Sequence, residues 1–165
     1  MRKILCTAGL ALALVQGTAA TAQGTAAQKP NPDLARGRYL VKIAGCNDCH
    51  TPGYAEKAGA VPEAQWLTGV PVGFQGPWGT TYAANLRLAM DGMTEAQWMK
   101  GAREPLKPPM PWFVLRDMTD SDLRALYRFV KSLGPAGKPA PTYVPPGSTV
   151  TTPVITWPQS PPASK

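Results

Sequence analysis

The chain has 165 residues, with 17 lysines and arginines against 10 acids and a formal charge of +7, a length that supports one domain with tails. Of the three cysteines and one histidine, Cys6 falls in the N-terminal segment expected to be removed, and the three that remain are too few for a disulfide framework or a four-ligand structural zinc site. The basic residues are scattered, with no run resembling a nucleic-acid patch, so the positive balance suits an acidic protein surface instead.

Arg2 and Lys3 open the chain, an apolar run fills 4–15, and Ala20-Thr21-Ala22 fits an A-x-A cleavage site. Residues 1–22 therefore read as a signal peptide for export to the periplasm, cleaved after about Ala22, with a retained anchor as the alternative. The run is shorter than the roughly 20 apolar residues a bilayer requires, so no membrane span is expected in the mature chain. Cys6 leaves with this segment and Arg2 and Lys3 take two charges with them, leaving +5 and only Cys46 and Cys49. Residues 23–32, QGTAAQKPNP, are small, polar and broken by prolines, and read as a flexible leader.

A first helix is expected with Asp33 as N-cap, running through LARGRYLVKIAG. Leu34, Leu40, Val41 and Ala44 share its apolar face. Gly37 in its middle costs up to ~1 kcal/mol relative to Ala, and such a glycine often marks a close contact with another helix. Residues 51–92 are rich in turn makers (TPG, GVPVG, GPWG), with a short helix expected from Glu63 to Thr68 and Trp66, Phe74, Trp78 and Tyr82 as packing groups. So long a loop region is uncomfortable in a small domain unless it is functional, and a buried cofactor would supply the core it needs.

Thr94 and Gln97 are spaced as a capping box for a helix from Glu95 to about Arg103. Pro105, Pro108, Pro109 and Pro111 exclude helix from EPLKPPMPWF. The last helix is the clearest: Thr119 caps it, Asp120 and Asp122 sit in its first turn, and Gly134-Pro135 ends it. Leu123, Leu126, Tyr127, Val130 and Leu133 recur at helical spacing. The Pro-rich tail, 136–165, reads either as a linker or as an extended segment docked on the domain or a partner, since Tyr143, Val150, Val154, Ile155 and Trp157 are more apolar than a spacer requires.

The chemistry lies in AGCNDCHTPG, residues 44–53. C-x-x-C-H is the signature of covalent c-type haem attachment. One helical turn separates the thiols, which lets both reach the two vinyl groups on one porphyrin edge and puts the adjacent histidine under the iron. Cys46 and Cys49 would become thioethers and His50 the proximal ligand, its other N–H oriented by a backbone carbonyl. A redox dithiol leaves the histidine without a reason and lacks a thioredoxin-like βαβ pattern. With no second histidine, the sixth ligand is a methionine, a lysine, water or nothing. Met110 is favoured, because flanking prolines stiffen KPPMPW and can present its thioether at little ordering cost. Met90, Met93, Met99 and Met118 are better explained by packing or a place beside a cap.

These motifs, CNDCHT, PPMPW and RDMTDSDLRALYRFVKSLGP, with GRYLVKIAGC ahead of them, resemble a class I monohaem cytochrome c over Asp33 to Pro135. GPWGTTYAANL is similar to a loop in cytochrome subunits of bacterial alcohol and aldehyde dehydrogenases. The resemblance implies an all-α cytochrome c fold, three to five helices and long loops around one covalent haem c, with the terminal helices crossing at Gly37 against Tyr127 or Leu126. It also suggests Trp78, Tyr82 or Asn85 as donors to a haem propionate. Only one haem motif is present, whereas those dehydrogenase subunits often carry three.

The organisation expected is thus a signal peptide over 1–22, a leader over 23–32, a cytochrome c domain over 33–135 and a tail over 136–165. The function expected is periplasmic one-electron transfer with His50 and Met110 on the iron, without catalysis. Its donor and acceptor would be redox proteins, such as a dehydrogenase, a quinol-oxidising complex, an oxidase or another cytochrome. Lys57, Arg103, Lys107 and Arg116 flank the motifs and could steer docking, although ordinary solvation explains any one of them. Two alternatives stand: a subunit bound to a periplasmic dehydrogenase, or a haem sensor or enzyme with an open sixth position.

Overall fold

In the computed structural model, residues 31–157 are described. The expected signal peptide, Cys6, residues 23–30 of the leader and residues 158–165 of the tail lie outside them. Helix α1 (Pro32–Ile43) lies across the last helix, α6 (Asp120–Ser132). Gly37 makes the crossing possible: a Cβ there would stand 2.1 Å from the Ala125 carbonyl oxygen and 2.6 Å from the Phe129 Cβ. The close approach is the one expected, but the partners differ. Positions 125 and 129 are one helical turn apart and share the face toward α1, whereas Leu126 lines a cavity open to the surface and the Tyr127 hydroxyl donates to the Met93 carbonyl (2.7 Å).

The start of α1 also differs. Asn31, not Asp33, is the N-cap, its side chain accepting from the Asp33 amide at 3.0 Å. Pro32, read as leader, is the first helical residue, where a missing N–H costs nothing. Along α6 the expected apolar positions are buried except half-buried Leu133, joined by Ala125 and Phe129, and Thr119 caps the start by accepting from Asp122 N. Arg36 reaches Asp122 (2.8 Å) and Arg128 reaches Asp33 (2.5 Å) across the crossing; exposed pairs of this kind add little stability.

Helix α2 (Cys46–His50) is a single turn entered through Gly45 at φ +70°. The expected helix 63–68 shrinks to a 3-10 turn, Glu63–Gln65. Trp66 turns extended and Leu67 takes φ +61°, which sends both side chains into the core. Helix α3 (Leu86–Asp91), not foreseen, is capped by the Asn85 side chain, which accepts from Leu88 N at 3.1 Å. Helix α4 (Glu95–Gly101) carries the full capping box of Thr94 and Gln97. After the proline loop, α5 (Phe113–Asp117) adds one more short helix.

The expectation of an all-α chain with three to five helices needs correction. Beside six α-helices the described residues contain a sheet in the order β2–β1–β3: β1 (Gly73–Gly76) and β2 (Gly79–Tyr82) form an antiparallel hairpin, and β3 (Val154–Thr156) from the tail runs parallel to β1. Four-residue strands rich in glycine carry no alternation to read. The tail is therefore docked on the domain rather than free of it. Val144 exchanges both backbone hydrogen bonds with Thr80 of β2 (2.8 and 2.9 Å), so the tail pairs with both edges of the hairpin. No described helix is long and apolar enough to cross a membrane.

Candidate haem site

The α2 turn borders a cavity of about 360 Å³ whose lining includes Cys46, Cys49, His50 and Met110. The same four residues border a smaller adjoining space of about 60 Å³. The three-residue spacing of the cysteines on one turn puts both thiols on one face, and they are not bonded to each other. Burial is the main reason the Cys46 thiol is pushed up to about 11 and the Cys49 thiol is raised as well. Both stay protonated near neutral pH, uncharged in an apolar wall.

His50 is 7% exposed. Burial lowers its pKa, opposed by its hydrogen bond to a backbone carbonyl, so the ring is neutral at pH 7. Its Nδ1 is 2.7 Å from the Ala84 carbonyl oxygen. A carbonyl can only accept, so the proton is on Nδ1 and Nε2 keeps its lone pair for a metal. The turn is pinned by a relay: Thr51 Oγ1 donates to Asn47 Oδ1 (2.7 Å) and accepts from Leu67 N (2.7 Å), while the His50 carbonyl accepts from Gly69 N (2.8 Å).

Met110 reaches the cavity from the proline loop. That loop is tied to the hairpin where Thr81 Oγ1 donates to the Pro108 carbonyl (2.7 Å), and it passes into α5 through Trp112 N donating to the Met110 carbonyl (2.8 Å). The other described methionines lie elsewhere. Met90 is 1% exposed in the core, Met99 and Met118 pack against it, and Met93 is exposed. Phe74, Leu86, Trp98, Leu115 and Leu126 complete an apolar lining suited to a flat, largely apolar group. The residues present fit a haem: two adjacent thiols, a histidine with a free Nε2, and a soft sulfur ligand on the same cavity.

The expected propionate donors are otherwise engaged. Asn85 Nδ2 donates to the Ala136 and Lys138 carbonyls (2.7 and 3.2 Å), and Tyr82 shares a hydrogen bond with Thr152 (2.7 Å). Trp78 Nε1 points to the Phe74 carbonyl at 3.4 Å. Of the three, Tyr82 lines the cavity. Among the cations proposed for docking, Arg103 donates to the Leu115 and Met118 carbonyls (3.3 and 2.8 Å) and pairs with Asp120 (2.7 Å), which makes it a clamp between α4 and the α5–α6 corner. Arg116 pairs with Asp117 and stands over the Trp112 ring. Lys57 is exposed, and Lys107 is both exposed and part of the cavity rim.

Two further contributions escape a reading of sequence. Arg87 on α3 is buried, and its guanidinium donates to the carbonyls of Gly134 (2.6 Å), Leu133 and Ala64 (2.7 Å), closing the C-terminal end of α6. Burial lowers its pKa, yet an arginine stays charged, which suits a helix C-terminus. Pro141 and Tyr143 of the tail also line the cavity. A surplus of apolar residues in the tail hinted at docking; nothing local said where.

The profile of the family described as Cytochrome c matches residues 34–134. The chain is 28% identical over 155 residues to the fructose dehydrogenase cytochrome subunit of Gluconobacter japonicus, a match covering 85% of this chain and 30% of that protein. The chain thus spans about a third of that relative. No solved structure matches the chain significantly.

Proposed function

Given that the chain belongs to the cytochrome c family, we propose that it is a periplasmic one-electron carrier with a single haem c and no catalytic activity of its own. Cys46 and Cys49 would hold the haem through thioether bonds, and His50 and Met110 would ligate its iron. The observation that carries this reading is the convergence of those four side chains on one apolar cavity, with the His50 Nδ1 proton committed to Ala84. When bound, the haem supplies a one-electron couple, and a thioether ligand favours the ferrous side of it. The protein's own part is to hold the imidazole in one tautomer, keep the lining dry and offer a stiff loop for the second ligand. The proposed export rests on the basic start and apolar run of residues 1–22.

For the donor we propose a dehydrogenase, because the relative is a dehydrogenase's cytochrome subunit. The excess of basic residues suits an acidic docking surface, and the contact would be small and transient, as electron-transfer encounters are. The same relative favours a second reading, a subunit bound permanently to the dehydrogenase. Gel filtration of native protein separates them: elution at the monomer position supports the mobile carrier, co-elution with dehydrogenase activity the bound subunit.

The first test is an absorption spectrum of protein exported alongside haem-maturation machinery, reduced, with and without carbon monoxide. A low-spin c-type spectrum indifferent to the gas is expected for a closed His50/Met110 site. Ready binding of the gas would instead mean an open sixth position. Met110→Ala is expected to convert the first spectrum into the second.

A further inference from the structure

The tail beyond residue 134 lies outside the family match, and it is built into the domain rather than appended to it. Asn85 holds its beginning through the Ala136 and Lys138 carbonyls. Val144 closes the outer edge of β2 and β3 closes the outer edge of β1, so the tail straddles the hairpin. Tyr143 donates its hydroxyl to the Trp78 carbonyl (2.8 Å), and the Lys107 ammonium stands 4.5 Å from the centre of its ring. Gly79 has φ +98°, and a Cβ there would come within 2.4 Å of the Val144 carbonyl oxygen. A spacer would need no such close seat. Between these anchors, Pro141 and Tyr143 face the cavity beside Phe74 and Tyr82 of the hairpin.

We propose that Pro141 and Tyr143, held in place by the rest of segment 136–157, form a built-in wall of the haem cavity, with Tyr143 as its positioning residue, and that by excluding water this wall holds the reduction potential above that of the same domain without it. The inference rests on the haem reading above. Oxidation leaves one more positive charge in the cavity, and water stabilises that charge better than an apolar wall does. Removing the wall therefore favours the oxidised form and lowers the potential, one of the ways solvent exposure tunes a haem. Most of the anchors are backbone hydrogen bonds on a glycine-rich hairpin, so the wall keeps its place without drawing on the α1–α6 core.

The test compares three holoproteins with the full chain: one ending at Ala140, which keeps the Ala136 and Lys138 carbonyls, Tyr143→Ala and Tyr143→Phe. The readouts are the midpoint potential by spectroelectrochemistry and the rate of oxidation by ferricyanide, with melting followed by circular dichroism. The shortened chain is expected to show a lower potential and faster oxidation. Tyr143→Ala should shift both in the same direction by less, and Tyr143→Phe, which keeps the ring, should leave the potential unchanged. A shortened chain that melts cooperatively with covalent haem and an unchanged potential overturns the proposal. If that chain fails to fold, Tyr143→Ala decides, and an unchanged potential there overturns it equally. Failure of the full chain to attach haem at all would instead overturn the haem reading, and this inference with it.

Discussion

Where α1 crosses α6, two backbones meet through the missing side chain of Gly37, and Leu40 and Val41 of one helix and Leu123 and Phe129 of the other are buried. Around the hairpin, by contrast, strands of three and four residues are joined edge to edge, and the tail strand Val154–Thr156 is exposed throughout. The first region is held by burial of apolar surface, at about 25 cal/mol for each Å². The second is held by backbone hydrogen bonds, each adding only ~0.5–1.5 kcal/mol net. The cavity lies between them, with α2 and Leu126 on the helical side and Phe74, Thr81, Tyr82 and Tyr143 on the other. A protein built this way should lose its fold when the crossing is damaged and only its enclosure when the hairpin is.

The largest effect is expected at the crossing. A Cβ at Gly37 meets backbone, which cannot step aside as a side-chain tip can. Gly37→Val should cost about 3 kcal/mol or more, read as a loss of midpoint in urea denaturation of the holoprotein. Leu123, fully buried and away from the cavity, comes next. Leu123→Ala should cost ~2–5 kcal/mol with the visible spectrum unchanged, and a spectrum that moves with stability would mean the two regions are not separable.

On the hairpin side, Gly79→Ala imposes both a disfavoured φ and a clash with the Val144 carbonyl. A local cost of ~1–3 kcal/mol is expected. Hydrogen exchange should rise at the Val144 amide while the amides of α6 keep their protection. Equal loss in both places would show that the tail and the crossing unfold as one unit, against the contrast drawn here.

The smallest effect is electrostatic. Arg36, hydrogen-bonded to Asp122 across the crossing, holds the Asp122 carboxyl below its ordinary value. A depressed carboxylate contributes stability that is fully present above its unfolded pKa and is lost as the pH falls through the folded one. Arg36→Gln should therefore leave a stability profile that falls less steeply in acid, with little change at neutral pH relative to the crossing variants. A profile parallel to that of the parent protein would assign the acid dependence to other carboxylates.

What was legible in the sequence follows the range of the interactions. The attachment turn, the Thr94–Gln97 capping box and α6 depend on residues within four positions of one another, and there the spacing itself carries the physics. The convergence of Met110 with His50 was within reach because prolines make the loop stiff by local rules. At Pro32 the local signal was ambiguous, since a proline both ends a leader and begins a helix, and only the Asn31 side chain on Asp33 N decided it.

Sequence by itself thus supplied the C-x-x-C-H turn of Cys46, Cys49 and His50, the proline-flanked Met110 and the amphipathic helix that Gly37 meets. Tertiary structure alone decided that Ala125 and Phe129 are what Gly37 meets, that Arg87 closes the end of α6, and that Pro141 and Tyr143 of the tail line the cavity. Edge pairing between residues 73–82 and 144–156 leaves no period in either segment, because a backbone donor and acceptor are present at almost every residue whatever its side chain. Such contacts are chosen by where the rest of the chain has brought the strands, and no short stretch of sequence holds that information.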